Sequence, residues 1–110
     1  MKRRVRFHAR FRRDLRAQLG WLARNGETAW IEALRAGLDE AARLLARHAR
    51  AGAVEEAREG SELRRLILRR VPYVVWYVIE SSDAGADVWV LRLFHARQRR
   101  PSPSWPAPRA

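Results

Sequence analysis

Residues 72–79, PYVVWYVI, contain no charged side chain and no interruption in their apolar character. Eight residues, Glu80 and then SSDAGAD, separate them from a second strongly apolar run, VWVLRLF at 88–94, in which Arg92 is the one charged residue. Valine, isoleucine, tryptophan, tyrosine and phenylalanine dominate both, and these side chains fit a pleated, half-buried surface. The separating stretch is made of turn formers, so the pair reads as an antiparallel hairpin with a long loop. Residues 63–70 form a third run that ends at Val71-Pro72. Proline cannot donate to a ladder, so it marks the seam between two strands. Three consecutive strands with short links make an antiparallel meander. The middle strand is apolar on both faces, whereas a sheet covered on one side shows a polar second face. One face is therefore expected to pack on helices and the other to be partly covered, for instance by a partner.

Alternation assigns residues to the two faces. Leu66 and Leu68 share one side of their strand; Arg65, Ile67 and Arg69 share the other. In the last strand Val88, Val90, Arg92 and Phe94 fall together, opposite Trp89, Leu91, Leu93 and His95. Upstream, residues 2–8 suit a short first strand with Val5 and Phe7 facing inward. Phe11, Leu15, Leu19 and Leu22 recur at helical spacing, which predicts a helix over 9–24 that stops at Asn25-Gly26. Ile31, Leu34, Leu38, Ala41 and Leu45 make a second stripe, predicting a helix over 28–49 with Thr28 as its N-cap. The short connection makes the two helices an antiparallel hairpin that covers one sheet face. AVEEARE, bracketed by Gly52 and Gly60, reads as a loop with a helical turn. The expected class is α+β: an N-terminal strand, an α-helical hairpin and a three-stranded antiparallel meander. Leu15, Leu22, Leu34, Leu38, Leu66, Val75, Leu91 and Leu93 are expected to be buried, and Arg12 and Arg43 exposed.

One hundred and ten residues suffice for a single core. Residues 1–100 are expected to form it. Residues 101–110, PSPSWPAPRA, include four prolines and read as an extended tail with one aromatic anchor, Trp105. No apolar run reaches the length of a membrane span. The basic N-terminus lacks the apolar core of a secretion signal, so a cytoplasmic location is expected. Cysteine is absent, which excludes disulfides and thiolate metal sites. No pair of histidines has metal-ligand spacing, and no phosphate-binding glycine loop or nucleophile elbow occurs. Neither a metal nor a cofactor is expected.

The net charge is +11 and unevenly placed. Residues 1–16 carry +7, residues 17–60 carry −1, and residues 61–110 carry +5. Such a field favours an anionic partner, either nucleic acid or an acidic protein. Nearly all of it is arginine, whose fork suits phosphate and carboxylate alike, so charge alone does not choose.

Residues 62–101 resemble the RelE/ParE superfamily of bacterial type II toxin–antitoxin toxins, and the ParE branch most. The resemblance is carried by Leu63 and Arg64, then Tyr73 and Tyr77, then Val90, Leu91 and Arg92, with His95 and Arg97 after them. It implies a toxin neutralised by a cognate acidic antitoxin in a hetero-oligomer. ParE-like toxins poison DNA gyrase without being enzymes. The alternative is a RelE-like endoribonuclease acting on ribosome-bound mRNA. A nucleic-acid-binding module without toxicity is a third possibility.

Arg92, His95 and Arg97, near the end of the last strand, are the expected target-binding group. If the chain is a ribonuclease, His95 is the candidate acid or base. The plainer alternative is a strand-end histidine that hydrogen-bonds the backbone. Ribonuclease members often place a tyrosine just beyond the last strand, and residues 96–110 contain none. Arg64, Arg65 and Arg69 are the expected antitoxin contacts, since arginine forks pair with carboxylates. Trp76 and Trp89 read as core.

Overall fold

The computed structural model describes residues 3–82 and 85–97, with only the backbone described at 81, 82, 85 and 86. The chain runs β1 (Val5–Phe7), α1 (Ala9–Arg24), α2 (Thr28–Arg47), a 3-10 turn (Ala49–Ala51), β2 (Ala53–Arg58), β3 (Ser61–Ile67), β4 (Tyr73–Ser82) and β5 (Gly85–His95). The five strands form one sheet in the order β1-β5-β4-β3-β2. β1 lies parallel to β5, and all other neighbours are antiparallel. The fold is α+β. The expected meander is present as β3, β4 and β5.

The sheet exceeds that expectation at two places. AVEEAR is not a loop but the edge strand β2, paired with β3 through a two-residue turn at Glu59-Gly60. Gly60 adopts φ +77, a left-handed conformation that glycine reaches without a Cβ clash. The long loop after β4 is also shorter than expected, because the ladder continues to Ser82 opposite Gly85.

His8 joins β1 to α1. Its backbone N–H donates to the Val90 carbonyl at 2.9 Å, which closes the β1 ladder. Its Nδ1 accepts the Arg10 amide at 3.0 Å, which caps the helix. Thr28 is the first residue of α2 rather than its cap; Glu27 occupies the cap position without a side-chain bond. Both apolar stripes face the sheet. Phe11, Leu22, Leu34, Ala41 and Leu45 are buried against Leu68, Val71, Tyr73, Val75, Tyr77, Ile79, Val88, Val90 and Leu93. Leu15, Leu38 and Leu66, expected to be buried, are only partly covered.

The opposite sheet face holds a second cluster: Leu63, Val74, Trp76, Val78, Trp89, Leu91 and Phe94. Trp76 and Trp89 are thus core residues. Strict alternation along β5 breaks at a β-bulge, where Trp76 pairs with Arg92 but Tyr77 pairs with Val90. One extra residue shifts every later side chain to the other face. Leu93 therefore joins Val88 and Val90 under the helices, and Phe94 joins Trp89 and Leu91 on the far side. The face assignment made from spacing alone fails for Arg92, Leu93, Phe94 and His95 for this reason.

Candidate functional site

The bulge also decides what Arg92 does. β1 ends at Phe7, so the last residues of β5 have α1 beside them instead of a strand. Asp14, in the second turn of α1, receives two bonds from the Arg92 fork, Nε at 2.8 Å and Nη2 at 3.3 Å. The same carboxylate accepts the Leu93 amide at 3.0 Å, a donor beside the bulge. Arg92 further lies over the Phe94 ring at 4.9 Å. This arginine is a strut between helix and sheet, and its charge is compensated.

One and two turns further along α1, on the same side as Asp14, come Gln18 and Trp21. Gln18 accepts the Tyr73 hydroxyl at 3.0 Å, and burial pushes that phenol's pKa up. Tyr73 sits across β4 and β5 from His95, whose ring meets it edge-on at 5.2 Å. The His95 Nδ1 accepts the Arg97 amide at 3.1 Å, the backbone bond of a strand-end histidine. A cleft forms here from Trp21, Leu22, Glu27, Trp30, Pro72, Tyr73 and His95. An adjoining hollow shares Trp21, Tyr73 and His95 and adds Arg24 and Arg97. Trp21 is 53% exposed and Trp30 is 41% exposed. Large aromatic rings held at this exposure mark a contact surface more than a core.

His95 and Arg97 are therefore together at one site, while Arg92 is held away by Asp14. The sequence reading missed Trp21 and Trp30. The signal was available: each falls one position off its helix's apolar stripe, beside Leu22 and Ile31, so neither can point into the core.

The three arginines expected to meet an antitoxin have three different surroundings. Arg64 turns back toward the chain before β2, donating to the Gly52 carbonyl at 2.6 Å and the Arg50 carbonyl at 3.1 Å. It also pairs with Glu62 at 3.0 Å, a bond that holds the Glu62 carboxyl below its usual range. Nearby, the buried Tyr77 hydroxyl donates to the Ala49 carbonyl at 2.6 Å and accepts the Gly52 amide at 2.9 Å. Arg64 is thus part of the lock that holds the 3-10 turn and β2 on the sheet. Arg65 is paired with Glu55 at 3.1 Å. Arg69 is exposed, and no ion pair among the described residues engages it.

Arg69 also rims an apolar groove between α2 and β3, lined by Gly37, Ala41, Leu44, Leu66, Ile67 and Leu68. Ile67 is 64% exposed there. A second groove runs along the other side of α2, between the helices. Phe7, Phe11, Leu15, Leu19, Leu38 and Ala42 line it, with Arg12 and Arg35 at its edge. The partial exposure of Leu15, Leu38 and Leu66 has this cause: they are groove walls. No group of residues suited to hold a metal ion occurs among the described residues, and no helix is long and apolar enough to cross a membrane.

A family model for the ParE toxin of the type II toxin–antitoxin system parDE matches residues 5–100. No curated protein matches the chain.

Proposed function

The chain belongs to the ParE toxin family of type II toxin–antitoxin systems, and we propose that it arrests growth by docking on DNA gyrase through the Trp21–Trp30–His95 cleft. Family membership makes it the toxin of such a pair, with an antitoxin as its partner. The observation that carries the gyrase reading is the pair of exposed tryptophans framing His95. Tryptophan and arginine anchor protein interfaces more often than other residues, and here Arg24 and Arg97 flank the two rings. Cleavage of mRNA requires an acid and a base placed around a phosphodiester. At this site the Tyr73 hydroxyl is engaged by Gln18 and the His95 Nδ1 by the Arg97 amide, and the Arg92 fork is held away from it by Asp14.

The antitoxin reading rests on the two grooves flanking α2. A disordered acidic-amphipathic segment that folds on binding would wrap this helix. Its apolar side chains would fill both grooves, and its carboxylates would meet Arg69, Arg43, Arg35 and Arg12. Apolar burial would then govern dissociation, and the arginines the rate of association.

The test uses Trp21→Ala and Trp30→Ala, singly and together, because both side chains can be removed without opening the core. The double variant should lose growth inhibition while still binding the antitoxin with unchanged affinity. Undiminished toxicity in the folded double variant would place the target contact elsewhere.

A further inference from the structure

We propose that the outward face of α1 holds the phosphate backbone of duplex DNA through Arg10, Arg13, Arg16 and Arg24. All four are exposed, and no ion pair among the described residues engages them. The helix has one acidic residue, Asp14, and Arg92 holds that carboxylate against the sheet. Between the arginines the outward face presents only Ala9, Ala17, Gly20 and Ala23, with Trp21 at its edge. α2 differs: it carries three arginines and three acidic residues, and its Glu40 pairs with Arg70.

Folding gives no reason for this array. A solvated helix face gains support from opposite charges three or four residues apart, and like charges at that spacing repel. Arg10 and Arg13 are three apart, as are Arg13 and Arg16, while Arg12 and Arg16 are four apart. The opening turns of a helix favour acidic side chains, because the peptide dipoles leave positive charge there. α1 has no acidic residue in its first turn, and three arginines fall within residues 10–13. An arrangement that opposes local preference with no return in packing points to a ligand, here an anion.

The shape and chemistry of the face define that anion. It offers no apolar side chain beyond Trp21, so an acidic segment that must fold on binding finds no anchor; the apolar grooves flank α2 instead. It is a convex helix, whereas single strands are held in grooves with rings on which their bases stack. From Arg10 to Arg24 it runs about 21 Å, and duplex DNA presents roughly a dozen charges over that length. A helix with its side chains is about 10–12 Å across and matches the major groove of B-DNA, about 12 Å wide. The major groove of duplex RNA is too narrow for side chains to enter. Phosphate contacts carry no sequence information, so binding should not depend on sequence. Trp21 and Arg24 border the cleft at the far end of α1, which places the duplex beside it. The proposal stands whether or not that cleft takes gyrase.

The experiment titrates a short mixed-sequence DNA duplex with the full chain at several salt concentrations. For four phosphate contacts, log K should fall against log salt with a slope of about −3 to −4. Arg10→Gln, Arg13→Gln and Arg16→Gln together should flatten that slope by about 2–3 and weaken binding at low salt by about tenfold or more, with the urea midpoint no lower. The same charge removed from α2, as Arg35→Gln, Arg43→Gln and Arg47→Gln, should change the affinity by about twofold or less. Arg13→Gln alone should flatten the slope by about one, a readout that survives if the triple variant fails to fold. No binding by the parent, an equal loss in both triple variants, or tighter binding to duplex RNA or single-stranded DNA would overturn the proposal. Lost antitoxin affinity with intact DNA binding in the α1 variant would overturn it as well, by giving the face to an acidic protein.

Discussion

Removing one oxygen atom should loosen an entire edge of the sheet. Tyr77 is fully buried, and its hydroxyl bridges the Ala49 carbonyl and the Gly52 amide on the segment that leads into β2. Tyr77→Phe keeps the ring and its packing but strands two backbone groups in a place water does not reach. Each lost bond is worth about 1 kcal/mol net, and an orphaned buried group costs about 1–3 kcal/mol, so a loss of roughly 2–4 kcal/mol is expected. For a domain of this size that is on the order of 10–20 °C in Tm. Urea denaturation should show a lower midpoint with an unchanged slope, since the native surface is preserved. Hydrogen exchange should accelerate at the Gly52 amide before it does in β4.

The same residue makes stability depend on pH at the alkaline end. Burial is the main cause of the raised Tyr77 pKa, and it raises that of Tyr73 as well. A phenol whose folded pKa lies above its unfolded value contributes fully below about pH 10 and progressively less as pH rises through the folded value. Tyr77→Phe should therefore be less stable at neutral pH and should lose less on further alkalinisation. A change below about 0.5 kcal/mol at neutral pH would refute the reasoning, because it would mean the two bonds do not hold the edge.

Three other substitutions test separate parts of the structure. Gly52→Ala places a Cβ into the Arg65 carbonyl and against the Tyr77 hydroxyl, and should destabilise by about 1–3 kcal/mol in thermal or urea unfolding. Arg92→Met keeps an unbranched apolar stem but removes the guanidinium and leaves the Asp14 carboxylate with only the Leu93 amide, and should cost about 1.5–3 kcal/mol in urea unfolding at low and high salt alike. Arg69→Glu should slow antitoxin association at low ionic strength and weaken its salt dependence, with dissociation unchanged in stopped-flow binding.

Much of this fold could be read from residue spacing. The stripes of α1 and α2 and the apolar runs of β4 and β5 bury enough surface that only one arrangement suits them. β2 was not legible, because Glu55, Glu56 and Ala57 carry no apolar alternation. As an edge strand it has one neighbour, and its place is set by β3 and the Tyr77 bridge. The bulge in β5 escaped for a different reason. An inserted residue leaves no mark on a pattern of apolar residues, and Asp14, which takes up its consequences, lies far away in sequence. Arg64 and Arg65 look alike in sequence as sheet arginines. Only the return of the chain at Gly52 shows that the first is a structural tie.

The proposed mode of action of this toxin is binding to DNA gyrase, without cutting RNA. Its most direct test adds the purified chain to DNA gyrase and relaxed plasmid, and in parallel to a translating extract whose mRNA ends are mapped. The account predicts inhibition of supercoiling near stoichiometric concentrations, relieved by the antitoxin, and no new mRNA ends at codon positions. Intact supercoiling together with codon-phased mRNA ends, abolished by His95→Ala, would contradict it.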